Sequence, residues 1–187
     1  METLLWGLLG YGVLPIWLLA GLADYLTHAR TRLAQTSGVR ESALHLLQTA
    51  EIGVPMLALL FLQVTALTLA LMIFGALAHT VTAYRDIRYA APLRRISTFE
   101  QFAHAFLIAL PLAALGIVIV LHWPAFTALL AMGDASRDAW ALRWREPPFD
   151  VGVIVAILGA SFVLGILPGL LEFINAWRHG RRGAPSA

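Results

Sequence analysis

Three times in this chain of 187 residues an acid stands four positions ahead of a histidine: Asp24-Tyr-Leu-Thr-His28, Glu41-Ser-Ala-Leu-His45 and Glu100-Gln-Phe-Ala-His104. A fourth pairing, His79 with Asp86, has a spacing of seven. Each residue of an α-helix advances about 100°, so spacings of four and seven return to nearly the same face. With 11 acids in 187 positions, six histidines should yield about 0.35 acid-x3-His pairs by chance. Three is an excess.

Neutral imidazole and carboxylate are the ligands of non-haem iron, manganese and zinc. Soluble di-iron bundles draw such ligands from several helices at once. The eight residues Asp24, His28, Glu41, His45, His79, Asp86, Glu100 and His104 are too many for one tetrahedral zinc. They predict two transition-metal ions sharing bridging carboxylates, with iron ahead of zinc or manganese. The plainer reading of any one pair is a helical i,i+4 ion pair worth about 0.2–0.5 kcal/mol. Gln48 and Glu51 lie on the same predicted helix as His45. Gln48 is expected as an outer partner of the site, and Glu51 as an outer ligand, a proton relay or an interhelical hydrogen-bond partner. The chain has no cysteine, which excludes thiolate ligands, disulfides and thiol catalysis.

These residues must be held by membrane helices. The chain is 59% hydrophobic with a mean hydropathy of +0.76, far above a soluble domain. Residues 3–23, 52–78, 105–121 and 151–171 carry no charge, and about 20 apolar residues suffice to span a bilayer. All 13 basic residues are arginine, and arginine excess marks cytoplasmic loops. Folding residues 43–86 as a helical hairpin that turns near Gln63-Val64-Thr65 puts ten of the arginines on one side. Arg137, Arg143 and Arg145 are left on the other, with Asp134, Asp138, Glu146 and Asp150 in a solvated outer loop. The chain therefore reads as an all-α polytopic membrane protein with five helices near 3–27, 43–62, 64–86, 101–122 and 151–174. Residues 1–180 form a single domain, followed by a disordered basic tail over 181–187. The N-terminus is outside as a retained anchor, and the C-terminus is cytoplasmic, in a bacterial inner membrane. Ser97-Thr98-Phe99-Glu100 reads as a capping box opening the fourth helix. Trp123, Trp140, Trp144 and Trp177 fall near the interfaces, as does His122 at the outer end, while His179 belongs to the solvated basic face. All four acid–histidine pairs then share the cytoplasmic end.

Histidine motifs at the cytoplasmic ends of a four-helix membrane core resemble the fatty acid hydroxylase, desaturase and alkane hydroxylase superfamily. Asp24…His28-Ala-Arg30 resembles its first box with an acid replacing the first histidine, and Glu41…His45 and Glu100…His104 resemble later boxes in the same way. No His-His dipeptide is present. The resemblance implies a dimetal oxidoreductase acting on a lipid-like or other apolar substrate. Such an enzyme takes electrons from a donor protein, since the chain shows no flavin, nucleotide or iron–sulfur motif. An apolar cleft is expected near Leu46, Leu77 and Leu107. The competing readings are a b-type haem electron-transfer protein, which needs facing histidines and no acids, and a metal-stabilised or pH-responsive scaffold. A transporter needs polar groups through the membrane, which the outer halves of the third and fourth helices lack. The partners expected are the bilayer, the substrate, the electron donor and a second copy of the chain, with no nucleic acid.

Overall fold

The computed structural model describes residues 1–131 and 136–183. Its helices are α1 (Glu2–Thr31), α2 (Gly38–Phe61), α3 (Ala66–Ala90), α4 (Thr98–Leu121), α5 (Trp123–Ala131) and α6 (Val151–Arg182). All but α5 are long and apolar enough to cross a membrane. The five-helix architecture with a hairpin at α2–α3 is therefore met. Helix α5 and a 3-10 turn at Arg137–Trp140 occupy part of the segment expected as outer loop. Asp134 lies outside the described residues. The last helix continues to Gly183, so residues 181–183 are helical rather than tail, and 184–187 lie outside the described residues.

Local chemistry sets the boundaries. Asp150 caps α6 by accepting from the Gly152 and Val153 amides, and Arg32 ends α1 in the left-handed region. Thr65 and Thr68 form a capping box at the start of α3, and Thr68 also donates to Gln63 O. That closes the hairpin over residues 62–65. Pro124, with no N–H to give Val120, separates α5 from α4.

The helices form a ring in which α1 packs on α4, α4 on α3, α3 on α2, α2 on α6, and α6 back on α1. Prolines shape it in two ways. A proline ring clashes with the carbonyl four residues back. In α1 and α6 the clash coincides with a widened π-turn, at Leu8–Val13 ahead of Pro15 and at Phe162–Ile166 ahead of Pro168. In α2 and α4 the helix stays regular and a carbonyl is freed. Pro111 frees Leu107 O, which accepts from Trp17 Nε1 at 3.3 Å and faces His79 Nε2 at 3.1 Å. Pro55 frees Glu51 O, and α3 approaches it at Gly75.

A Cβ at Gly75 would stand 2.5 Å from both Glu51 O and Pro55 Cγ. Gly75→Ala should therefore force α2 and α3 apart and destabilise the protein by about 1–3 kcal/mol, the usual cost of overpacking. Gly116→Ala, with nothing within 4 Å, serves as the neutral control. Thermal melts in detergent compare the two.

At the other end of the bundle, the segment after α5 folds over the hairpin. Leu62 bridges Trp144, and Arg145 donates to Leu59 O at 2.9 Å while lying over Phe149 and Trp6. His122 packs edge-on against Trp6. Burial, with Arg145 nearby, holds its imidazole below the ordinary range.

Candidate metal centre

The connections 32–37 and 91–97 lie at the same end of the ring, so the C-terminal ends of α1 and α3 meet the N-terminal ends of α2 and α4. That is where the acid–histidine pairs gather. Asp24, His28, Glu41, Asp86, Glu100 and His104 are buried there, with His45 partly so.

The i,i+4 spacing puts Asp24 one turn from His28 on the same face of α1 and Glu100 one turn from His104 on the same face of α4. Because α1 packs on α4, the two pairs close on each other. His104 Nε2 lies 3.0 Å from Asp24 Oδ1, His28 Nε2 lies 3.4 Å from the same oxygen, and His28 Nε2 lies 3.2 Å from Glu100 Oε1. One donor atom from each of the four residues falls within 4.8 Å of all the others. This buried Asp/His/Glu group could hold a metal ion.

The three closest donor contacts are spaced as neighbouring ligands of one ion would be, and the remaining ones lie within 4.8 Å. Metal–ligand bonds of about 2.0–2.2 Å place neighbouring ligand atoms about 3.3–3.6 Å apart in a tetrahedron and about 2.8–3.1 Å apart in an octahedron. The observed 3.0–3.4 Å separations lie across those ranges. Hydrogen bonding accounts for one of them, between His28 Nε2 and Glu100 Oε1. Asp24 Oδ1 and both ring nitrogens of His104 are buried with no hydrogen-bond partner among the described residues. The 3.0 Å contact between them lacks hydrogen-bond alignment. Both ring nitrogens of His28 lie at hydrogen-bonding distance from carboxylates, Nδ1 from Glu172 Oε2 at 2.9 Å and Nε2 from Glu100 Oε1 at 3.2 Å, and a neutral imidazole has only one N–H to give them. With Nδ1 donating to Glu172, a neutral ring turns its Nε2 lone pair toward two carboxylate oxygens, where a cation would be held, whereas a doubly protonated ring donates on both sides.

Glu100 is fixed from three sides. It is the third residue of the expected capping box, exchanging hydrogen bonds with Ser97 (Glu100 N to Ser97 Oγ at 3.1 Å and Ser97 N to Glu100 Oε2 at 3.3 Å). Arg94 donates to Glu100 Oε1 and, through two nitrogens, to Glu41. Burial alone would lower the Arg94 pKa, but these two carboxylates hold it above its ordinary value.

The remaining candidates divide. His45 faces Glu172 Oε1 at 2.7 Å through Nδ1 and Asp86 Oδ2 at 3.0 Å through Nε2. Gln48 donates to the same Asp86 oxygen at 3.3 Å. His28, Glu41 and His45 make a second close group, which shares His28 with the first, and Arg94 donates to the glutamate of each. His79 is not brought into either group. Its ring lies between Leu107 O and Gln48 O, and we assign its N–H to Leu107 O, the carbonyl freed by Pro111. Of the three roles open to Glu51, the structure shows the interhelical one, with Thr82 Oγ1 donating to Glu51 Oε1 at 2.8 Å.

Two residues of the cluster were not foreseen. Arg94 carried no signal beyond its place in an arginine-rich loop. Glu172 did, because it is an acid between apolar turns of a spanning helix, and ionisable groups inside membranes are functional candidates by default.

The polar cluster heads a cavity of about 150 Å³ inside the helix ring. Asp24, His28 and His104 line one end, and Trp17, Met56 and Ser161 line the other. Each of these three lies eleven residues from His28, His45 or Glu172 on its own helix. At about 1.5 Å per residue the cavity runs about 16 Å into the bundle. Its walls are apolar. Leu107 lines it as expected, whereas Leu77 is exposed and Leu46 instead faces Gly169. The cleft therefore lies inside the ring, with α1 and α6 among its walls, and not between α2, α3 and α4 alone. Compared with protein-family models, with curated proteins and with solved structures, the chain matches none.

Proposed function

We propose that this chain is a membrane-embedded, metal-dependent oxidoreductase acting on a lipid-like, apolar substrate. The observation that carries the reading is the meeting of four nitrogen and oxygen donors, Asp24, His28, Glu100 and His104, at the head of a deep apolar cavity. The donor set suits iron, manganese or zinc and has no sulfur. Four protein ligands saturate a tetrahedral zinc, whereas an octahedral ion keeps two positions, and three of the ligands face the cavity. Iron is therefore the metal we favour. Bound there, it would supply the redox chemistry that an unactivated hydrocarbon demands, with electrons drawn from a donor protein.

The chain's own residues do the rest. The apolar walls hold the substrate and exclude water, Arg94 and Ser97 orient Glu100, and Glu172 orients His28. Five buried carboxylates (Asp24, Glu41, Asp86, Glu100 and Glu172) face one buried guanidinium, Arg94. A divalent cation offsets two of the four uncompensated charges, and His45, with a carboxylate at each nitrogen, is placed to offset another by donating from both. The two ligand sets found among the described residues both need His28, so we favour one ion per chain over two.

The direct test is to load purified protein with iron, reduce it without air and then admit oxygen in the presence of long-chain alkanes or fatty acids. Oxygen uptake that requires iron and is lost in His104→Ala supports the reading, and an iron-loaded protein inert to oxygen sinks it. The His28 and His45 rings, stacked 4.6 Å apart at 4°, leave no space for a macrocycle between them, so this pair does not ligate a haem from its two faces. The scaffold alternative draws support from one observation, that His28, His45 and His104 each lie within 3.4 Å of a carboxylate oxygen. It predicts a fully folded protein without metal.

The proposed orientation puts the metal end at the cytoplasmic face. Since the chain lacks cysteine, single cysteines at exposed Thr36, Pro92 and Trp144 report sidedness directly. In sealed right-side-out vesicles an impermeant reagent should label position 144 and spare 36 and 92. The opposite pattern would invert the protein.

A further inference from the structure

We infer that Glu172 is a positioning residue of the metal centre, a latch that ties α6 to the ligand His28 and couples metal binding to the seating of α6 along the cavity. The inference rests on the metal reading above. Its geometry is that of one carboxylate shared by two rings on two other helices. Glu172 Oε2 accepts from His28 Nδ1 at 2.9 Å, and Oε1 accepts from His45 Nδ1 at 2.7 Å. The second ring is anchored in turn by Asp86 and stacks on the first. A hydrogen bond at Nδ1 fixes the tautomer of a metal-binding histidine and the direction of its other nitrogen. Here it leaves Nε2 free to face Asp24, Glu100 and the proposed ion.

The same carboxylate is the polar tie of α6 to the rest of the site. Helix α6 supplies a cavity wall through Ser161, Leu164, Gly165 and Pro168. Above Glu172 that wall contains the π-turn at Phe162–Ile166 and Pro168, features at which helices bend. An ion that holds His28 in its binding tautomer strengthens the hold on Glu172, and a seated Glu172 strengthens ion binding. The coupling is reciprocal. A role in packing alone would stabilise the fold and leave metal affinity unchanged.

Glu172→Gln separates these roles with little change of shape. Its amide oxygen can accept from one imidazole N–H, but its NH2 then confronts the other, and one ring must change tautomer. The full chain in detergent is titrated with cobalt(II), whose visible spectrum reports binding. Glu172→Gln should bind cobalt about 10–100-fold more weakly, while Gly159→Ala, on the same helix with nothing within 4 Å of the added methyl, should bind as the native chain does. A second measurement needs no change at Glu172. In Leu164→Cys, cobalt should slow thiol labelling, and adding Glu172→Gln should remove that protection. Native affinity in Glu172→Gln overturns the latch and leaves the metal reading standing. Labelling at Leu164→Cys that ignores cobalt overturns the coupling even where Glu172→Gln fails to fold. A native chain that binds no cobalt sinks the metal reading, and the latch with it.

Discussion

Alanine in place of His28 is expected to strip the protein of metal, with affinity falling by more than the roughly 100-fold that loss of an outer partner alone can cost. His28 is the ring on which the site converges. Its Nε2 faces two carboxylate oxygens and its Nδ1 engages a third. Truncation removes a ligand and releases Glu172 together. His104→Ala should also lose the ion, because His104 Nε2 is the closest nitrogen to Asp24 Oδ1. His79→Ala is the informative contrast. It lies on the same polar face by spacing, yet its ring serves backbone carbonyls, so it should keep the metal and lose stability instead. Leu107 O keeps its bond from Trp17 Nε1, so loss of the second donor costs about 0.5–1.5 kcal/mol. His122→Ala and His179→Ala, far from the cluster, should leave metal content untouched. Metal analysis and thermal melts on the five variants separate ligation from folding.

The second large effect belongs to Arg94. Arg94→Ala should destabilise the protein by about 3–5 kcal/mol, the cost of removing one member of a buried ion pair and stranding its partners. Two carboxylates, Glu41 and Glu100, would be left with no guanidinium in a site that is 1% exposed or less at both side chains. Two outcomes make the test specific. Adding Glu41→Gln should recover part of the loss, since it removes one of the stranded charges. Saturating metal should recover another part, since ligand binding to the folded state stabilises it by mass action. Denaturation measured with and without metal reads both. A loss below about 1 kcal/mol would mean that the cluster is hydrated and the account of its burial is wrong.

The five spans, the hairpin and the Ser97–Glu100 capping box were legible because each has a local cause in hydropathy, arginine asymmetry or side-chain capping. The clustering of the pairs on α1 and α4 was legible for a related reason. An i,i+4 spacing aims two side chains together whatever the tertiary fold, and α1 and α4 are neighbours. The same reasoning carried less far on α3. His79 and Asp86 share a face by periodicity, but seven residues span about 10 Å of helix, so one ring meets the carbonyl freed by Pro111 while the carboxylate meets His45. Which carbonyls a proline frees, and which helix lies beside it, is a tertiary fact. Glu172 was hidden differently. It has no histidine partner at a helical spacing of four, and its two partners lie 144 and 127 residues away on other helices. The expected cleft at Leu46 and Leu77 failed because it assumed a site enclosed by α2, α3 and α4, whereas the ring closes through α6.

The central claim, that Asp24, His28, Glu100 and His104 hold a transition metal, is tested most directly by metal analysis of the full chain purified without chelator, alongside His28→Ala. The account predicts one transition-metal ion per native chain, bound by nitrogen and oxygen at about 2.0–2.2 Å in X-ray absorption, and none in the variant. A folded native protein without metal, or a metal that survives His28→Ala at full occupancy, would contradict it.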